Sequence, residues 1–375
     1  MSNKCMHFFT KFGIAAIAIA GIGFSGCDED SSSPEQTLKI YMPSEYMSDS
    51  LIPNFEKQYN AKVIVEFFDS NEEMYTKVKD LTVPYDVLIP SDYMIERLLN
   101  NTPILLQPID KSVMTNMSEL SDAVKNLSFD PSNNYSIPYF WGNTGIVYDK
   151  TKISREELED SENGGWNIYR NAVLKNKSKQ REWKIYFYDS ERDAFMIALK
   201  ALGKSANSDN DADLEAAFNW LKEMNKEMQP IYVTDEVIED MAEGTEDIAM
   251  AIAYSGDAAY ILSENEDMAY FVPNEGTNVW YDAMVIPQNA ENPKLANTFI
   301  NYVMSYEASL ENTKAVGYTS PNAKAYAEMI KRGGEYEYNE AYKPRTGYSK
   351  DEIYHDNDII YTKISNYWPE VKSYN

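Results

Sequence analysis

The chain has 375 residues, enough for two domains, and is acidic, with 34 Lys and Arg against 60 Asp and Glu. Such a surface repels nucleic acid and anionic membranes and tolerates small cations. Aromatic residues make up 13% of the chain and include 29 Tyr, more than a core requires, so some of that Tyr is expected to line a surface or cleft.

In chain order, Lys4 and Lys11 precede the apolar run FGIAAIAIAGIGF at 12–24. Thirteen residues are too few to span a bilayer as a helix, and the pattern is that of an export signal. The run ends in FSGC, a lipobox-like motif, with Cys27 as the residue to be lipidated and to become the mature N-terminus. Residues 1–26 are therefore read as a lipoprotein signal and 27–36, polar and without apolar periodicity, as a flexible tether. The processed chain loses two lysines and no acid, leaving 32 basic against 60 acidic residues. It keeps no cysteine beyond Cys27, so no disulfide framework is expected.

LKIYMP at 38–43 reads as a strand, SLIPNFEKQYN at 50–60 as a helix with Leu51, Phe55 and Tyr59 on one stripe, and AKVIVEFF at 61–68 as a strand. SNEEMYTKVKDL opens a capped helix, and YDVLIPS at 85–91 is a short buried strand. This alternation is the signature of a parallel α/β sheet, in which ligands gather at the carboxyl ends of strands. Those ends carry Ser44, Glu45 and Tyr46 after the first strand and Ser91, Asp92 and Tyr93 after the third.

A second α/β series follows. KIYFYD at 184–189 is a strand, ERDAFMIALKALG at 191–203 a helix closed by Gly203, and DIAMAIAYSGDAAYIL at 247–262 a strand running into a helix. Between them, Asp213 is expected to cap the helix LEAAFNWLKEMNKEM. MAYFVPNEGTNVWYDAMVIP at 268–287 holds two strands around a turn; helices are expected near 292–306 and 321–332, and a last one within or just before SNYWPEVKSYN.

Several chemistries are excluded. His355 is the one histidine left after export, so a His-rich zinc site is not available and no HExxH occurs. GKS at 203–205 lacks the upstream glycine of a phosphate loop, which is Ala198 here. DNDAD at 209–213 fails as a calcium loop because Leu214 and Trp220 stand where Gly and Glu are needed. YSGDA at 254–258 is not a nucleophile elbow. No cofactor, metal or nucleic-acid partner is expected, and no acid–base pair or activated nucleophile of an enzyme is readable.

One short stretch asks for a ligand. In an extended strand Trp280 and Asp282 share a face, and a carboxylate in an aromatic wall is costly unless a cation or hydrogen bonds meet it. No Lys or Arg occurs between Lys226 and Lys294, so the partner comes from afar in the chain or from outside it.

The stretches SNEEMYTKVKD, YDVLIPSDYMIERL, FDPSNNYSIPYFWGNTGIVYD, RDAFMIALKALG, WYDAMVIPQNAENP and VGYTSPNAKA, in this order, carry a resemblance. Over residues 37–372 the chain resembles the spermidine/putrescine-binding proteins of bacterial polyamine ABC importers. The resemblance implies an α/β, bilobal, type II periplasmic-binding-protein fold: two α/β lobes joined by crossover hinges and closing on a ligand in the cleft between them. It implies crossings near Asn143, Trp280 and Tyr326, with 37–143 plus 281–326 as one lobe and 144–280 plus 327–375 as the other. It implies an exported, monomeric, lipid-anchored binding protein that delivers a polyamine to permease subunits.

The site it implies comprises Ser44, Glu45, Tyr46, Ser91, Tyr93, Asp193, Trp280, Asp282 and Tyr318. The opening Trp of the family pattern is Pro43 here, a second Trp falls on Tyr254, and a family Asp falls on Ser190, for which the adjacent Asp189 is our own suggested stand-in. The family's C-terminal polar contact aligns poorly and is placed at Tyr354. Each position also has an ordinary reading. Ser190 and Asp193 have capping-box spacing, and Trp141 with Gly142 reads as hinge packing. Arg192 leaves open an amino-acid ligand, whose carboxylate it would take.

Overall fold

A computed structural model describes residues 36–374. The first elements are β1 (Gln36–Pro43), α1 (Leu51–Tyr59), β2 (Ala61–Phe68), α2 (Asn71–Val78), β3 (Val87–Leu88), α3 (Asp92–Asn100) and β4 (Leu106–Gln107). The long β5 (Ser136–Asp149) leads to α4 (Arg155–Glu159), α5 (Ala172–Arg181), β6 (Lys184–Tyr188), α6 (Glu191–Ala201) and α7 (Asp211–Met228). Then come β7 (Ile231–Val233), α8 (Glu236–Glu243), β8 (Ile248–Tyr254), α9 (Ser255–Glu264), β9 (Met268–Phe271) and β10 (Val279–Pro287). The chain closes with α10 (Pro293–Val303), α11 (Tyr306–Val316), α12 (Ala323–Ile330) and α13 (Asp358–Ser373).

Eight of the strands form one hydrogen-bonded path in the order β2-β1-β3-β10-β5-β8-β6-β7, with β4 added on β10 and β9 on β5. β1 is parallel to β2 and β3 at one end, and β6 is parallel to β7 and β8 at the other. β5 joins the two ends. Its first half, up to Asn143, runs antiparallel to β10, and its second half, from Thr144, runs antiparallel to β8 and β9. All 14 residues of β5 are buried, so the strand lacks the alternation of a half-exposed one. The strands expected across 268–287 both form, but they do not pair with each other; each takes a different half of β5.

Two expectations need correction. The cap of α7 is Asn210, whose Oδ1 accepts from the backbone of Ala212 and Asp213; the Asp213 carboxylate instead takes the Ser208 hydroxyl at 2.8 Å and Lys204 at 2.8 Å. The region after β10 is broken by Ser305, whose side chain caps a separate helix, α11. The last helix forms where expected and runs through Pro369, held by buried Ile364, Trp368 and Val371, because packing of that face outweighs the lost backbone bond. Cys27 and the export signal lie outside the described residues.

Candidate ligand-binding site

The carboxyl ends of β1, β3 and β8 and the middle of β10 bring the candidate residues together. After β1, Glu45 adopts a left-handed conformation (φ 54°), and the turn leaves Ser44 and Glu45 exposed while burying Tyr46. The Tyr46 hydroxyl donates to Asp282 Oδ2 at 2.5 Å. Ser91 faces Asp282 in a one-residue antiparallel bridge, and Asn71 bonds both the Ser91 backbone and its hydroxyl. Burial pushes the Asp282 carboxyl above the usual range, and the Tyr46 and Ser91 hydrogen bonds pull it part of the way back.

A second carboxylate, Asp193, sits in the first turn of α6. Ser190 caps that turn by accepting from the Asp193 backbone at 3.3 Å. The Asp193 carboxylate takes no part in the cap; it accepts the hydroxyls of Tyr254 at 2.9 Å and Tyr354 at 3.1 Å. A third, Asp257, lies in the first turn of α9 and accepts the Tyr318 hydroxyl at 2.6 Å. Burial pushes Asp257 up to about 7, although the Tyr318 hydrogen bond opposes the shift.

Aromatic rings link the three carboxylates. Trp280 lies between Tyr254, edge-on at 6.0 Å, and Tyr318, tilted at 5.4 Å; Tyr318 in turn meets Tyr46 at 5.5 Å. The row therefore runs Asp193, Tyr254, Trp280, Tyr318, Tyr46, Asp282, with Asp257 beneath Tyr318. The indole N–H of Trp280 is buried and has no hydrogen-bond partner among the described residues. Gly256 permits this packing: a Cβ there would stand 1.4 Å from the Tyr318 ring. Gly142 does the same for Trp280, whose ring would lie 2.6 Å from a Cβ, while Trp141 stacks on Tyr281 at 5.9 Å. Trp141 and Gly142 both lie in β5.

Among the described residues, no Lys, Arg or His forms an ion pair with Asp193, Asp257 or Asp282. Hydroxyls are their side-chain partners instead: phenols for all three, with Ser91 also acting on Asp282. An acidic, aromatic surface of this kind can hold ammonium groups against carboxylates and lay methylenes on ring faces. It lacks the cationic or N–H-rich character that an anion needs.

Not every expected residue joins the row. Asp189 takes Trp368 Nε1 at 2.9 Å and Lys372 at 2.8 Å, so the suggested stand-in already has a counter-ion and is turned to α13. Tyr93 is buried beneath the Arg192 guanidinium at 3.9 Å, and its hydroxyl donates to Glu72 at 3.2 Å. Arg192 also pairs with Glu72 at 3.3 Å, which leaves little to recommend it as a receiver of a ligand carboxylate. Asp92 is structural: it accepts the backbone of Tyr93 at 2.7 Å and of Tyr281 at 3.1 Å, tying α3 to β10. Sequence reasoning missed Asp257. The rule that singled out the ends of β1 and β3 would have found it, applied to the end of β8.

Comparison with known proteins identifies the family of the chain. Residues 50–343 match the model of the family described as bacterial extracellular solute-binding protein. The spermidine/putrescine-binding periplasmic protein of Escherichia coli K12 is 30% identical over 321 residues, covering 85% of this chain and 86% of the relative. A putative spermidine/putrescine ABC transporter structure from Listeria monocytogenes is 36% identical, covers 90% of this chain and 99% of its own, and superposes with a TM-score of 0.76. The spermidine/putrescine ABC transporter substrate-binding protein of Streptococcus pneumoniae, solved with calcium and HEPES, is 33% identical, with coverage of 91% and 99% and a TM-score of 0.75.

Proposed function

We propose a function from one premise: the chain belongs to the family of bacterial extracellular solute-binding proteins, with the two-lobed type II fold. It binds a polyamine, spermidine or putrescine, between its lobes and hands it to the permease of an ABC importer. The observation that carries this reading is the row of three carboxylates that, among the described residues, have no cationic partner along one aromatic wall.

A polyamine at neutral pH is a string of ammonium charges spaced by methylenes. An ammonium over an aromatic face gains about 0.5–2 kcal/mol. Each charge-assisted hydrogen bond to a carboxylate adds about 1.5–3 kcal/mol. In this reading Asp282 and Trp280, with Tyr46 and Ser91, receive one amine, Asp193 with Tyr254 and Tyr354 another, and Tyr318 covers the methylenes between them. Asp257, beneath Tyr318, adds negative potential. In this reading the protein is a monomeric carrier rather than an enzyme, in keeping with its solute-binding family.

The lobes are 37–143 with 281–326 and 144–280 with 327–375, hinged where β5 and β10 run side by side. The mature chain starts at Cys27, exported and tethered by lipid. A thermal-shift screen of the purified protein against polyamines, amino acids and sugars tests the reading. Stabilisation by spermidine or putrescine alone supports it, and stabilisation by an amino acid or sugar instead refutes it.

A further inference from the structure

Three side chains close a ring across the lobes, beside the Asp193 end of the carboxylate row, where Tyr354 touches both. Glu72 on α2 and Tyr93 on α3 come from the β1–β3 end of the sheet; Arg192 on α6 comes from the β6–β8 end. Arg192 Nη2 donates to Glu72 Oε1 at 3.3 Å, Tyr93 donates to the same carboxylate at 3.2 Å, and the guanidinium lies 3.9 Å over the Tyr93 ring. Tyr354 and Tyr361 flank the guanidinium at 5.6 and 5.0 Å. The side chains of Arg192 and Glu72 are only 17% and 30% exposed, so salt screens the pair little.

A second ionic contact runs in the same direction. Arg97 on α3 pairs with Asp356 at 2.8 Å, Glu96 accepts the Asp356 backbone at 2.9 Å, and His355 Nδ1 lies 3.1 Å from Glu96. Residues 355–357 lead into α13, which packs on α6 and α7.

Arg192 and Asp193 are neighbours in the first turn of α6. One side chain enters the carboxylate–aromatic row, and the other reaches the opposite lobe. We propose that Arg192 is a positioning residue for ligand retention: its pairing with Glu72 and stacking on Tyr93 latch the lobes, so one helix start joins amine capture to closure. The inference rests on the polyamine reading. A contact that favours the closed form, in part already before ligand arrives, acts mainly on dissociation and changes association little. It raises apparent affinity by populating the closed form.

The test is stopped-flow binding of spermidine to the parent and to Arg192→Gln, Glu72→Gln and the double variant. Each single change is expected to speed dissociation about tenfold, the scale of one part-buried charge-assisted hydrogen bond, with association altered less than about twofold. The double variant should release spermidine no faster than the faster single. Arg192→Lys keeps the charge and loses the planar stack, so it should fall between parent and Arg192→Gln; it also guards against a variant that misfolds. Parent-like dissociation in both single variants, or effects that multiply in the double, overturns the latch. If neither spermidine nor putrescine binds the parent, the polyamine reading fails on its own. The latch is then judged by small-angle scattering of the ligand-free proteins: a larger radius for Arg192→Gln than for the parent supports it, and equal radii overturn it.

Discussion

Tyr46 and Asp282 are 236 residues apart in the chain and share a hydrogen bond of 2.5 Å. The bond ties the turn after β1 to the crossing strand β10, and it stabilises the ionised form of a carboxylate that burial would otherwise neutralise. Tyr46→Phe keeps the ring against Tyr139, Phe140 and Tyr318 and removes only that donor. Its expected cost is about 1 kcal/mol of ligand-free stability and about 1–2 kcal/mol of spermidine affinity at neutral pH. Chemical denaturation and calorimetry read the two effects separately.

The Asp257 carboxyl gives a dependence on pH. Its folded value of about 7 lies above its ordinary 3.8, so the native protein keeps a proton that the unfolded chain loses. Ligand-free stability from this group is fully present below the unfolded value, falls as pH rises from 3.8 towards about 7, and levels off above that. Asp257 keeps some contact with solvent, which damps the effect. Asp257→Asn should flatten the melting temperature over that window. An arriving ammonium favours the ionised form, so spermidine binding at pH 6 should release protons, and calorimetry in buffers of different ionisation enthalpy should detect them.

Gly256→Ala tests the close approach beneath Tyr318. The new Cβ would stand 1.4 Å from the ring, so the ring or the start of α9 must move. Overpacking of this kind costs about 1–3 kcal/mol, against a gain of at most about 1 kcal/mol from better helix propensity. Melting temperature should fall, and spermidine affinity should fall by more than tenfold because Tyr318, Trp280 and Asp257 shift together. A variant that binds as the parent does would remove Tyr318 from the site.

Much of this architecture was legible before the structure. The strand ends PSEY and PSDY placed Tyr46 and Ser91, and the period-2 logic of a strand put Trp280 and Asp282 on one side, where Tyr318 touches Trp280 and Tyr46 closes on Asp282. What local pattern could not show was partnership. Asp189 and Asp193 are both acids at the start of α6, yet one meets Lys372 and the other two tyrosines, and only the path of α13 decides which. Asp213 stood in a capping position by composition, but Asn210 reaches the helix donors first. β5 escaped notice as an element because burial on both faces erases the alternation that marks a strand.

The lipid tether makes a separate prediction. With Cys27 as the acylated residue, Cys27→Ser should move the protein from the membrane fraction to the soluble exported fraction while spermidine binding stays unchanged. Fractionation with immunodetection reads the first effect, and equal membrane association of parent and variant contradicts the anchor.

The central claim is that Asp282 and Trp280 hold one ammonium from one strand. Asp282→Asn keeps the shape and removes the charge, and it should cost about 2–4 kcal/mol of spermidine affinity. Trp280→Leu keeps apolar bulk and removes the negative ring face, for about 1–2 kcal/mol. Because both act on one cation, the two losses should not add in the double variant. Isothermal titration of spermidine into the parent, the two single variants and the double variant decides the matter. The account predicts a large loss for Asp282→Asn in a ligand-free protein that melts at or above the parent temperature; spermidine binding at parent affinity by Asp282→Asn, or an unfolded ligand-free variant, would contradict it.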